Sequence, residues 1–128
     1  MYIACLSSVC YALVMEEIQW PADWQRGILE LCVLRIIGDG PTYGYDIASR
    51  LADAGLGEVK GGTLYPLLKR LEQGGLVVVE WRPGEGGPGR KFYELNELGR
   101  ARRDELADVW RRFSAAVTNH VSPIGKDH

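Results

Sequence analysis

A mainly α fold with a two-stranded β wing and a long terminal helix is predicted by three features of this 128-residue sequence. Residues 24–75 carry three apolar stripes at helical spacing, separated by glycine and proline runs. Residues 76–95 change to two β-branched or aromatic segments joined by PGEGGPGR. Residues 97–119 return to a helical period whose apolar seam has no obvious partner inside so small a domain. Three helices followed by a hairpin make a winged helix–turn–helix, and the last helix is of the kind that packs against a second copy.

The first helix is WQRGILELCVLRIIG, residues 24–38, with Ile28, Leu31, Cys32, Leu34 and Ile36 on a largely buried surface. The run Gly38-Asp39-Gly40-Pro41 stops it. Thr42 then suits the N-cap of a second helix over about 43–54, and Asp46 in its first turn complements the helix dipole. Its stripe is Tyr45, Ala48, Leu51 and Ala52 with Ile47 beside it, and Gly55 ends it.

The third helix, about 63–73, lies in KGGTLYPLLKRLEQGGL. Leu64, Leu67, Leu68 and Leu71 fall at i, i+3, i+4 and i+7 and form its buried face. With Gly62 or Thr63 as cap, Pro66 falls in or at the edge of the first turn, where no intrahelical N–H bond is lost. The opposite face holds Thr63, Tyr65, Pro66, Lys69, Arg70 and Gln73. A solvated face has no need of the tyrosine, and a second core contact has no need of the lysine and arginine.

Leu76–Trp81 and Lys91–Leu95 are the wing strands, and Gly74-Gly75 separates them from the third helix. Asn96 suits the cap of the last helix, with Gly99 tolerated early. That helix carries its seam on Leu98, Leu106, Val109, Trp110, Phe113 and Val117. The expected division is an N-terminal extension over 1–23, in part poorly ordered, a winged-helix domain over 24–95, a dimerisation helix over 96–119 and a disordered tail over 120–128.

The chain is 46% hydrophobic and 25% charged, which suits one domain with a real core. Its formal net charge of −2 is unevenly spread. Residues 24–103 hold 12 Lys/Arg against 10 Asp/Glu, a net of +2, while the remainder holds 3 against 7, a net of −4. A mildly basic middle permits a nucleic-acid partner but does not require one.

The three cysteines, Cys5, Cys10 and Cys32, form no C-x-x-C or C-x-x-H pattern, so neither a disulfide framework nor a metal site is expected. MYIACLSSVCYALVM lacks a positive n-region and is too short to span a bilayer. Translation is expected to start at Met15, with residues 1–14 an upstream extension. The wing tip GEGGPG has no Gly-Lys-Ser/Thr ending and no strand–loop–helix setting, so it is not a phosphate-binding P-loop. No His sits in the expected core to act as a base, and the carboxylates are scattered on helix surfaces. No catalytic residue, metal or cofactor is therefore expected.

PTYGYDIASRL, GGTLYPLLKRLEQGGL and GRKFYELNELGR occur in that order, and together they resemble the PadR family of winged-helix transcriptional regulators over about residues 26–117. The resemblance implies a cytoplasmic, dimeric repressor that releases DNA in response to a small molecule. It implies a third helix that reads the operator, a wing that touches its flanks and a C-terminal helix that packs on the partner subunit. The short chain is similar to the subfamily with a single C-terminal helix. In some relatives a tryptophan on that helix lines a hydrophobic pore at the dimer interface and stacks on planar ligands. Trp110 sits at the matching distance after Gly99. Residues 1–14 and the glycine-rich wing tip depart from the pattern.

The candidate DNA-contacting residues are Gly62, Thr63, Tyr65, Pro66, Lys69 and Arg70 on the third helix and Arg82, Arg90 and Lys91 on the wing. Cations here would meet phosphates or base edges, and the helix start offers backbone N–H groups to phosphate. The plainer readings are a solvated helix face, packing of Tyr65 on the second helix and edge-strand charge that discourages pairing. The candidate effector and dimer surface is Leu106, Val109, Trp110, Phe113 and Val117, where a simple dimer core and a platform for a planar aromatic or other small hydrophobic effector both remain open. Trp20 and Trp24 could cover the same pocket. A winged-helix module that binds protein instead of DNA is the alternative, favoured by the acidic total.

Overall fold

The computed structural model describes residues 20–123 apart from residue 85. The expected start at Met15 and residues 124–128 of the expected tail lie outside the described residues.

Among the described residues four helices and a three-stranded antiparallel sheet follow one another as α1 (Ala22–Gly38), β1 (Thr42–Tyr43), α2 (Gly44–Asp53), α3 (Gly61–Gln73), β2 (Val77–Arg82), β3 (Arg90–Leu95) and α4 (Glu97–Val121). The winged-helix order read from the sequence is present, and β1 adds a third strand to the expected hairpin. The strand order is β1-β3-β2, with Thr42 opposite Tyr93 and Tyr43 opposite Phe92. Across the hairpin Val77 faces Leu95 and Arg82 faces Arg90.

α1 is the central helix, and its buried residues are Leu29, Val33, Leu34, Ile36 and Ile37. Ile28, Leu31 and Cys32, expected in the core, are half-buried and line its outer flank. Ile47 and Leu51 of α2, the four leucines of α3, and Val77, Tyr93 and Leu95 of the sheet close around it. Val59 in the α2–α3 loop joins this core, which the glycine-rich loop sequence did not suggest. Fully burying a leucine-sized side chain contributes roughly 1.5–3 kcal/mol, so the four leucines alone fasten α3 firmly by one face.

Three local expectations are corrected. Thr42 does not cap α2: it is paired in the sheet, 2% exposed, and its hydroxyl donates to Asp46 Oδ2 at 2.6 Å. Tyr43 holds the cap position without a side-chain bond. α3 starts earlier than expected, at Gly61 with Lys60 as its cap residue, so Pro66 lies in the second turn. The Gly62 carbonyl, four residues before it, therefore has no helical N–H partner, and Gly62 is exposed to water that can satisfy it. On α2, Tyr45 is 76% exposed and does not belong to the buried stripe.

Asn96 caps α4 as expected. Its side chain accepts from the Gly99 N–H at 2.8 Å and donates to the Gly75 carbonyl at 2.7 Å. Gly99 is required by packing as well as tolerated: a Cβ there would strike the Leu76 carbonyl. α4 runs beside α1, with Arg102 and Glu30 joining them at 3.4 Å, and continues to Val121, past the expected end at 119. Among the described residues no helix is long and apolar enough to cross a membrane.

Candidate nucleic-acid interface

An open groove of about 980 Å³ lies between α3 and the wing. The leucine face of α3 is buried, so its other face projects Tyr65 and Lys69 into this groove. β3 supplies Arg90 and Lys91 from the opposite wall. Four of the residues singled out in the sequence thus meet around one space. Gly62, Pro66 and Arg70 are exposed on α3, and Thr63 is half-buried, but none of them lines the groove. A Cβ at Gly62 would meet nothing within the chain, so the fold itself does not require glycine there.

The wing cations divide between two faces. Strand alternation puts Lys91, Tyr93 and Leu95 on the face against α3 and Arg90, Phe92 and Glu94 on the other, and Arg90, at the open end of β3, still borders the groove beside Tyr43. Lys91 is tied down: its ammonium donates to Glu72 of α3 at 3.0 Å, and this bond raises the lysine pKa above the usual range. Arg82 lies outside the groove, with its guanidinium over the Phe92 ring at 4.2 Å. The Arg90 guanidinium carbon lies over the Tyr43 ring at 4.5 Å.

The sequence reading missed the aromatic character of this groove. Tyr43, Tyr45, Trp81 and Tyr93 line it together with Tyr65. Trp81 is 68% exposed, because the sheet extends past the end of the leucine stripe that covers Val77 and Val79. Its place on the inward face of β2 was readable from alternation, whereas its lying beyond the reach of α3 was not. Tyr93 is buried, which raises its phenol pKa. Tyr65 lies across the bare Cα of Gly44, whose missing side chain gives the ring its seat.

A second groove, of about 720 Å³, runs between α1 and α4. All five residues of the expected effector and dimer surface, Leu106, Val109, Trp110, Phe113 and Val117, line it with Trp24. Phe113 is 61% and Trp24 73% exposed in the single chain. Trp20 lies elsewhere, its indole N–H donating to the Gly55 carbonyl at 2.8 Å.

Comparison with known proteins fits this geometry. The model of the "Transcriptional regulator PadR-like family" matches residues 33–105. A transcriptional regulator of Mycobacterium tuberculosis is 37% identical over 79 residues, which are 62% of this chain and 72% of that protein. The X-ray structure of a PadR-like transcription factor from Bacteroides fragilis is 37% identical, with a TM-score of 0.66 over 79% of this chain and 96% of the other. A PadR family transcriptional regulator from Eggerthella lenta is 29% identical, with a TM-score of 0.70 over 93% of this chain and 97% of the other. The matched family is one of transcriptional regulators, not of enzymes. By domain, fold and overall sequence likeness, this chain belongs to the PadR-like family of transcriptional regulators.

Proposed function

We propose that this protein is a sequence-specific DNA-binding regulator that works as a homodimer, most simply a cytoplasmic repressor whose DNA release is driven by a small hydrophobic effector. The observation that carries the reading is the meeting of Tyr65 and Lys69 of α3 with Arg90 of the wing around one open, aromatic-lined groove. An α-helix fits the major groove of B-DNA, and cations and aromatic hydroxyls beside it can hold flanking phosphates. Gly62, Thr63, Pro66 and Arg70 lie on or beside the exposed side of the same helix and extend the proposed contact surface. Arg82 and Lys91 belong to the wing side of it.

The apolar α1–α4 groove supports the dimer. Trp24, Val109, Trp110 and Phe113 are more exposed than side chains of their size are in a finished core, and a second copy would cover them. Two such subunits would place their α3 helices in half-sites one DNA turn apart, roughly 34–36 Å. An effector in the α1–α4 groove would act by favouring a dimer in which that spacing is wrong, since a ligand shifts an equilibrium only through its differential affinity for the two states.

The test is a gel shift with duplex DNA from upstream of the protein's own gene. A specific complex that weakens in Lys69→Ala, with the fold intact by circular dichroism, supports the reading. Absence of any specific complex favours a protein-binding winged helix instead.

A further inference from the structure

The wing face that bears Arg82, Phe92 and Arg90 carries an arrangement of which Arg90 and Tyr43 border the groove and Arg82 and Phe92 do not. Arg82 and Arg90 are direct partners across the β2–β3 ladder, on the same face. Like charges placed directly opposite one another destabilise a sheet, so this pairing is a poor choice for stability alone. Each guanidinium carbon stands over an aromatic ring: Arg82 over Phe92 at 4.2 Å and Arg90 over Tyr43 at 4.5 Å. The two rings touch, with centroids 5.2 Å apart. They do so because the short strand β1 pairs Tyr43 with Phe92. Glu80 reaches Arg82 only at 3.5 Å and is itself two-thirds exposed, so it is a weak competitor.

A guanidinium has two chemically distinct surfaces. Its flat face is satisfied by an aromatic ring, and its edge holds five N–H donors in a fixed fork that matches a phosphate. The rings of Tyr43 and Phe92 offer each guanidinium an apolar surface for its face, and its N–H edge can then turn to a phosphate, with only the weak Glu80 contact competing at Arg82. Contact with the rings also fixes side chains that would otherwise lose rotamer entropy on binding.

We propose that Tyr43 and Phe92 are positioning residues that hold Arg82 and Arg90 as a preorganised pair for the DNA backbone beside the half-site. The proposal rests on the DNA-binding reading above and deepens it. It separates the wing cations by role: Arg82 and Arg90 meet phosphate, whereas Lys91 fastens the wing to α3 through Glu72. It also gives β1 a function, since without its pairing Tyr43 would not stand beside Phe92.

The experiment measures binding of the full chain to a fluorescein-labelled duplex from upstream of its own gene, by anisotropy, at several salt concentrations. Phe92→Leu removes the ring face and keeps apolar bulk, and it is expected to weaken binding about two- to fivefold, the worth of a cation–π contact. Phe92→Trp is expected to restore it. The loss must run through the arginine: in an Arg82→Gln background, Phe92→Leu is expected to cost nothing further. Should Phe92→Leu unfold, the matching cycle of Tyr43→Leu with Arg90→Gln carries the test. Wild-type affinity in folded Phe92→Leu overturns the proposal alone. So does a loss that persists undiminished in the Arg82→Gln background, which would mark a merely structural role. No specific complex with the wild type overturns the DNA-binding reading on which the proposal stands.

Discussion

Gly44→Ala is a small change expected to separate stability from DNA binding. Gly44 opens α2 and has no positive φ, so its backbone accepts alanine. The space does not. A Cβ at this position would stand 2.5 Å from the Tyr65 hydroxyl oxygen, 2.7 Å from Cε1 and 2.8 Å from Cζ. Ordinary carbon contacts lie at about 3.5–4.0 Å, so the ring must leave its seat. Tyr65 is 53% exposed and can swing outward without disturbing the core. Replacing glycine in a helix interior gains roughly 0.5–1 kcal/mol, and at this first helical position at most that, which offsets part of the weaker packing of the displaced ring on α2. The melting temperature is therefore expected to stay within about 4 °C of the wild type, the equivalent of roughly 1 kcal/mol for a chain of this size. DNA binding behaves differently. A hydrogen bond from Tyr65 to a charged phosphate is worth about 1.5–3 kcal/mol, so affinity is expected to fall by about one to two orders of magnitude. Anisotropy titration with the upstream duplex reads the affinity, and differential scanning calorimetry at matched concentration reads the stability. The same titration in a Tyr65→Ala background should show no further effect of Gly44→Ala. Wild-type affinity in folded Gly44→Ala, or an undiminished loss once Tyr65 is gone, would refute the reasoning.

Asn96→Ala removes both the cap of α4 and the bond to the Gly75 carbonyl. At about 1 kcal/mol each, the melting temperature should drop by roughly 8 °C, whereas Asn96→Asp keeps the acceptor and should lose less than half of that. Trp110→Asp places a charge in the α1–α4 groove; by light scattering the wild type is expected to give dimers and the variant monomers. A dimer that survives it would remove that groove from the interface.

The parts of the fold that were legible in the sequence were those written as a period or a cap. The leucines of α3 announced their buried face at helical spacing, and Asn96 stood three residues before the Gly99 N–H that it receives. The start of α3 was not legible, because Lys60 occupies the cap position without a side-chain bond, and Pro66 was consequently placed a turn too early. β1 is two residues long and has no alternation to read, so Thr42 looked like a helix cap when its place is in the sheet. Tyr45 and Trp81 were hidden by the same pattern that found the core. Both continue a stripe whose inner members are buried, but the elements that cover those members end before reaching them. The exposed aromatic half of the candidate site followed from where neighbouring elements stop, a tertiary fact that periodicity does not carry.

The salt dependence of binding to the upstream duplex tests the central claim most directly. Neutralised phosphates release counterions, so the logarithm of affinity should fall linearly with the logarithm of salt, at about 0.9 per phosphate contacted. The wild type is expected to show a slope of several units for a specific complex, reduced by about one for each Lys69→Ala subunit bound. A slope near zero, or one that Lys69→Ala leaves unchanged, would contradict the assignment of the groove between α3 and the wing to DNA.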